Sequence, residues 1–319
     1  MTTQTPRCVA LSGGVGGAKL ALGLAQTLPP EDLTIIANTG DDFEHLGLTI
    51  CPDIDTLTYT LAGISNTETG WGRGGETWQF MASLESLGGE TWFRLGDSDL
   101  ATHVERSRRL AAGETLTGIT GDFRQRLGIG PRILPMSDTP VRTIVETPDG
   151  PLPFQHYFVR EQCVPIVTGF RFDGAADAHP APGIADALAD DSLVAIVICP
   201  SNPFISIDPI FAIPGLRDML MAAKAPVVAV SPIVGGKALK GPTAKMMTEL
   251  GLNSDAVAVA RHYGALLDGF VLDSSDADSE EAVRALGVDV LVTDTVMQSL
   301  ADKERLARDV VAFAATLRR

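Results

Sequence analysis

The chain has 319 residues, is 45% hydrophobic but only 6% aromatic, and sets 25 basic against 40 acidic side chains for a formal charge of −15. That length suits one large α/β domain or two smaller ones, and a core of Val, Ile, Leu and Ala suits parallel strands buried on both faces. Such an acidic balance, with no basic patch, argues against nucleic acid and anionic membranes as partners; an anionic substrate would need local neutralisation by a metal ion, helix N-termini or a few cations.

The start, "MTTQTPR", is polar and lacks a signal-peptide segment, and the longest apolar run, "LVAIVIC", is far short of a membrane span. Cys8, Cys51, Cys163 and Cys199 are scattered and form no CxxC pair. A zinc site is therefore not expected, and a reduced, cytoplasmic setting is.

In chain order, "RCVAL" (7–11) reads as a first strand, followed by a glycine-rich turn and a helix-like run that Pro29 and Pro30 end. "LTIIA" (33–37) is a second strand, and Pro52 begins a helix that places Asp53 and Asp55 in its first turn. A helix-rich stretch covers about 78–127. "VRTIVETPDGPLPFQHYFVR" (141–160) then reads as two strand-like runs in a β-hairpin around Pro148, Asp149 and Gly150. "SLVAIVIC", "APVVAVS", "DGFVLD" and "VDVLVTD" are later strands, and residues 300–317 form an amphipathic helix with Leu306, Val310, Phe313 and Leu317 on one side. The expectation is a single Rossmann-like, doubly wound α/β domain over 1–319 with a mostly parallel sheet. Residues 70–185 or so would be a helical and hairpin elaboration of it, a lid or a dimer arm.

Ligands of open parallel sheets bind beyond the carboxyl ends of the strands, near a reversal of strand order. Four unusual loops follow strands directly: "SGGVGGAK", "NTGDD", "PSNP" and "SPIVGGKALKG". In the first, Gly13, Gly14, Gly16 and Gly17 allow close approach of a phosphate, and Lys19 stands one turn into the helix. Ala18 and Leu20 exclude a Walker A loop, and Lys19 occupies the third glycine of the dinucleotide fingerprint. A tight strand–helix turn without ligand is the plainer reading. Asp41 and Asp42 repel each other and a neighbouring phosphate unless a cation intervenes, and Mg²⁺ suits carboxylates beside phosphate oxygens. Asp53 can serve simply to complement the helix dipole. Ser201 and Asn202 can hold a base or a phosphate, or shape a turn between Pro200 and Pro203. Ser231, Gly235 and Gly236, with Lys237, Lys240 and Lys245, form the last candidate cluster, while Asp97 and Asp99 lie in "LGDSDLATH". The five histidines form no HxxH or HxxxH pair; His45, in the acidic stretch, is the one placed to touch substrate. There is no GxSxG elbow.

Together "GGVGGAK", "NTGDD", "ICPDIDT", "GWGRGGETW", "LGDSDLATH", "ILPMSD", "FQHYFVR", "PSNPFISIDPI" and "SPIVGGKALKGP" resemble, in order and nearly end to end, the 2-phospho-L-lactate transferase (CofD) family. The resemblance implies a CofD-like fold, a place in coenzyme F-420 biosynthesis, a homodimer and Mg²⁺. It implies transfer of a phosphorylated three-carbon acid from a GDP-linked donor to the ribityl hydroxyl of the deazaflavin Fo, with release of GMP. Asp41 and Asp55 match the metal-binding aspartates, and Asp55 or Asp53 would take the hydroxyl proton. Asp55, Thr56, Trp71 and Asp97 would line the Fo site. Gly13, Gly14, Gly16, Gly17, Lys19, Ser201, Asn202, Ser231, Gly235 and Gly236 would hold the guanosine diphosphate. One departure is Ser98, where the family commonly has arginine; Arg73 or Arg94 would then supply a cation. Two rival expectations are a CofD-like regulator that binds nucleotide sugars, which has no use for the Pro52–Asp55 aspartates, and an NAD-dependent dehydrogenase, which the glycine run fits badly.

Overall fold

The computed structural model of the chain describes residues 7–68, 70–238 and 241–317. Seven parallel strands form the central sheet: β1 (Arg7–Ser12), β2 (Leu33–Ala37), β3 (Arg132–Pro135), β4 (Leu193–Ile198), β5 (Val227–Val230), β6 (Gly269–Asp273) and β7 (Asp289–Thr293). Their spatial order is β7-β6-β5-β4-β1-β2-β3, every neighbouring pair parallel. The order reverses between β1 and β4, which defines the switch point of a doubly wound sheet.

Strand alternation divides the interior in two. Val9 and Leu11 of β1, with Ile196 and Ile198 of β4, join one buried cluster; Cys8 and Ala10, with Ala195 and Val197, join the other. Both faces are therefore dry, as the unbroken β-branched runs predict. On the second face α1 (Gly14–Thr27) packs against α2 (Pro52–Leu61) and the C-terminal helix. Gly23 permits this approach: a Cβ there would lie 2.1 Å from the Lys303 carbonyl oxygen. The sequence starts α1 at the glycines and ends it at Leu28, before two prolines that cannot continue it. Leu20, Ala21 and Leu24 line its buried side. Proline at the first position starts α2, with Asp53 and Asp55 in its first turn.

The stretch 70–185 is only partly an elaboration. It contains helix Gln79–Ser86, α3 (Asp97–Ala111), helix Leu116–Arg126 and a three-stranded antiparallel sheet, but also β3, an edge strand of the central sheet. The hairpin around Asp149 forms between Arg142–Glu146 and Leu152–Pro153. Its second run leaves the strand early, at a wide helical turn over His156–Arg160, and Gly169–Asp173 supplies the third strand. Among the described residues no helix is long and apolar enough to cross a membrane.

Candidate active site

The loops after β1, β2, β4 and β5 meet at the carboxyl edge of the sheet around a cavity of about 840 Å³. Gly13, Gly14, Gly16, Lys19, Asp41, Asp53, Asp55, Thr56, Trp71, Ser201, Asn202 and Ser231 line it. Gly17, Asp97, Gly235 and Gly236 do not. Gly17 lies beneath the loop, where a Cβ would come 2.6 Å from both Ser12 Oγ and Ser201 Oγ. Asp97 faces away, accepting from the Thr77 hydroxyl and the Gln79 and Phe80 amides, and so ties α3 to helix Gln79–Ser86. Gly235 and Gly236 form the left-handed turn of a short hairpin, with φ of 57° and 72°. Of the lysine cluster, Lys240 lies outside the described residues, and Lys245 Nζ is held by Glu249 and the Pro165 carbonyl.

The glycine loop is fixed across the switch point. Gly13 N–H donates to Ser201 Oγ at 3.2 Å, and Ser201 Oγ donates back to the Gly13 carbonyl at 2.8 Å. Gly14 N–H donates to Asp53 Oδ1 at 2.8 Å. A helix leaves four amides at its N-terminus without intrahelical acceptors. Two are thus used by the protein; Val15 and Gly16, whose amides have no acceptor among the described residues, also line the cavity. Gly16 is pressed against the next loop, since a Cβ there would sit 2.3 Å from the Pro200 carbonyl oxygen. Asn202 accepts from the Phe204 and Ile205 amides, which shapes the loop after β4. Lys19 Nζ donates to the Met297 carbonyl at 3.0 Å.

The floor is acidic and closed. Asn38 Nδ2 donates to Asp53 Oδ2 at 2.9 Å, and Asn38 Oδ1 accepts from the Gly40 amide at 2.8 Å. One asparagine therefore orients both α2 and the loop that carries Asp41. Asp41 is 6% exposed, and its Oδ1 has no partner among the described residues. Burial, then the charge of Asp53, pushes Asp41 well above the usual carboxylate range. Burial lifts Asp53 to about 6 against its hydrogen bonds from Asn38 and Gly14. Burial likewise lifts Asp42 to about 7, with Arg142 opposing; Asp42 lies behind the cavity wall.

Asp55 has a different environment. Both its oxygens are held by the Arg106 guanidinium, Nη1 at 3.0 Å from Oδ2 and Nη2 on Oδ1. His103 bridges the neighbouring carboxylates, with Nδ1 3.6 Å from Asp55 and Nε2 3.3 Å from Asp99. The Tyr59 hydroxyl donates to Asp99 at 2.5 Å, and the Thr102 hydroxyl lies 2.9 Å away, able to donate to the Tyr59 oxygen. Burial alone would raise Asp99, but its bonds from His103 and Tyr59 hold it below the usual range.

Much of the remaining lining is aromatic. Trp92, Phe93, Phe154, Phe158, Trp71 and Tyr59 contribute, and Trp92 meets His156 edge to face at 4.8 Å. His45 does not line the cavity. It packs behind Trp92 at 5.1 Å, and burial lowers its pKa. Near Ser98, Arg73 donates to the Ser98 carbonyl at 3.4 Å, and Arg94 stacks 4.1 Å from the Trp78 ring centre while lining the cavity. Sequence reading did not find Trp92, Phe93, His103 or Arg106. The run "TWFR" before "LGDSDLATH" was the one available signal for the aromatics.

Comparison with known proteins identifies the family. The model of the family described as 2-phospho-L-lactate transferase CofD matches residues 8–312. A phosphoenolpyruvate transferase of Streptomyces griseus is 43% identical, over 98% of this chain and 99% of its own. A 2-phospho-L-lactate transferase of Methanococcoides burtonii is 38% identical, over 97% and 100%. A crystal structure of a UPF0052-family protein from Bacillus halodurans superposes with a TM-score of 0.65 at 14% identity, over 97% of this chain and 99% of that one, which speaks for the fold alone. A transferase-family match over nearly the whole length, laid on a doubly wound sheet with its cavity at the switch point, places this chain in the 2-phospho-L-lactate transferase CofD family.

Proposed function

We propose that the chain transfers a phosphorylated three-carbon acid from a GDP-linked donor to the terminal ribityl hydroxyl of the deazaflavin Fo. The acid is phosphoenolpyruvate, 2-phospho-L-lactate or 3-phosphoglycerate, GMP leaves, and coenzyme F-420-0 or its dehydro form results. One observation carries the reading: a single cavity is lined by the glycine loop, by Asp41, Asp53 and Asp55, and by Trp71, Trp92, Phe93, Phe154 and Phe158. A nucleoside diphosphate suits the glycine loop and a flat heterocycle the aromatic side chains.

In this reading the ribityl oxygen attacks the phosphorus that bears the acid, and the bond from that phosphorus to the oxygen of GMP breaks. Asp53 or Asp55, both at the cavity, takes the hydroxyl proton. The Val15 and Gly16 amides hold phosphate oxygens at the positive end of α1. The Ser201 and Asn202 loop, locked to Gly13, keeps that end rigid against β4. Trp92 and Phe93 position the acceptor ring and exclude water. The floor fits Mg²⁺, because Asp41 brings a buried oxygen with no partner among the described residues. The family resemblance pairs Asp41 with Asp55 as its ligands. Bound there, the ion supplies charge neutralisation of the diphosphate in an acidic protein.

The test incubates purified protein with Mg²⁺, Fo and each GDP-linked donor in turn, and identifies products by mass. Release of GMP together with Fo gaining the phosphoacid supports the reading. Absence of GMP with all three donors, from protein shown to be folded, refutes it.

A further inference from the structure

We propose that Gln155 is a positioning residue for the metal-bearing loop: its amide holds the Asp41 carbonyl and so fixes Asp41 relative to the aromatic side of the cavity. The inference rests on the reading above in which Asp41 is a metal ligand, and extends it to a residue outside the acidic loops. Gln155 Nε2 donates to the Asp41 carbonyl at 3.2 Å, across 114 positions of sequence. A backbone carbonyl only accepts, so the amide nitrogen, not Oε1, must face it. No other hydrogen bond among the described residues holds the Asp41 backbone. Asp41 Oδ1 accepts nothing within the described residues either, so the aim of this carboxylate depends on the loop that carries it.

The antiparallel sheet grips that loop at two successive carbonyls. Thr143 N–H, in strand Arg142–Glu146, donates to the Gly40 carbonyl at 2.7 Å, next to the Asp41 carbonyl that Gln155 holds. The approach is close: a Cβ on Gly40 would lie 2.7 Å from Thr143 Oγ1. Gln155 comes just past the strand Leu152–Pro153, in a stretch that faces the cavity. Phe154, Phe158 and Val159 line the cavity with it, and the Phe154 and Phe158 rings stack at 5.4 Å. Gln155 is 4% exposed among them. Burying an amide is costly unless it is hydrogen-bonded, and Leu or Met would fill the space without that cost. What the glutamine adds is the bond to Asp41. One turn of chain thus carries part of the aromatic wall and ties the acidic floor to it.

Mn²⁺, which can be followed by electron paramagnetic resonance, is titrated into the full chain in the presence of GDP. Gln155→Met keeps the bulk and removes the donor. It is expected to weaken Mn²⁺ binding at least tenfold, as loss of a partner that orients a metal ligand does, and to change the zero-field splitting of the bound ion. Tyr157→Phe disturbs the same turn but removes only a hydroxyl that accepts from Lys245 Nζ at 3.3 Å. It should stay within threefold of the unmutated protein and keep its spectrum. Mn²⁺ affinity within threefold in Gln155→Met, where Asp41→Asn loses tenfold or more, overturns the inference and leaves the metal reading standing. Equal losses in Gln155→Met and Tyr157→Phe also overturn it, since a general disturbance of the turn then suffices. No Mn²⁺ binding by the unmutated chain, or no loss in Asp41→Asn, overturns the metal reading together with it. Should Gln155→Met fail to fold, crystals of the unmutated chain soaked with Mn²⁺ and GDP decide. An anomalous peak on Asp41 with Gln155 Nε2 still on its carbonyl supports the proposal, and a peak on Asp41 with the amide turned away overturns it.

Discussion

Arg106 heads the fully buried side chains in size, and Asp55 takes both of its Nη donors, so the pair should behave as one unit. Removing one member leaves the other charged, buried and unpaired, which costs about 3–5 kcal/mol, whereas replacing both with neutral groups is near neutral. For a chain of 319 residues the unfolding entropy at the midpoint is about 0.7 kcal/mol/K, so that cost appears as a Tm loss of roughly 4–7 °C. Arg106→Met and Asp55→Asn should each show it by scanning calorimetry. The double variant Asp55→Asn/Arg106→Met should recover all but about 2 °C, giving a coupling of roughly 5 kcal/mol or more. Additive losses, or single variants within 1 °C or so of the parent, would show that the pair does not behave as one unit.

Three further outcomes are expected. Gly16→Ala pushes a Cβ into the Pro200 carbonyl, so it should cost about 1–3 kcal/mol and weaken GDP binding at least tenfold by calorimetry; Gly23→Ala, jammed against Lys303 far from the cavity, should cost similar stability and leave GDP affinity intact. His45 is held below its ordinary pKa by burial, so the unfolded chain takes up its proton first. Stability from this group is complete above the ordinary value near 6.5 and falls as pH drops through the lowered one. Between pH 7.5 and 5.5 or so, the parent should therefore lose more Tm than His45→Phe, and an equal loss in both would refute the assignment. Trp92→Phe should reduce the tryptophan quenching that Fo produces on binding, and Trp71→Phe/Trp92→Phe should abolish most of it, because these are the two indoles in the cavity wall.

The sheet was legible in the sequence because its strands are buried on both faces and so appear as uninterrupted β-branched runs. The strand "RILP" escaped for the opposite reason. It is a short edge strand ending in proline, and only its pairing with β2 makes it a strand. Strand Gly169–Asp173 alternates half-buried and exposed residues and is likewise specified by its partner, Arg142–Glu146. The loops at the cavity were readable from their glycines and carboxylates, since those residue types are costly there without a ligand. Charge partners were not. Arg106 lies 51 positions from Asp55, and its spacing in α3 looks like any surface arginine of a polar helix. Asp97 was read as a site residue from its acidic motif, but its carboxylate is consumed in capping a neighbouring helix.

In the proposed reading, a protein with a charge of −15 has to hold a diphosphate. Lys19 lines the cavity and spends one of its three donors on the Met297 carbonyl. Backbone amides would supply the rest, and folding itself consumes two of the four that α1 offers, Gly13 on Ser201 and Gly14 on Asp53. The second of these bonds matters most. Asp53 holds the glycine loop with one oxygen and the Asn38 hub with the other, so the phosphate end and the acidic floor are mechanically one piece. A cation at Asp41 would neutralise the floor beside the loop that the same Asn38 hub anchors. Filling either position then lowers the electrostatic cost of filling the other, and linkage requires that help to be equal in both directions.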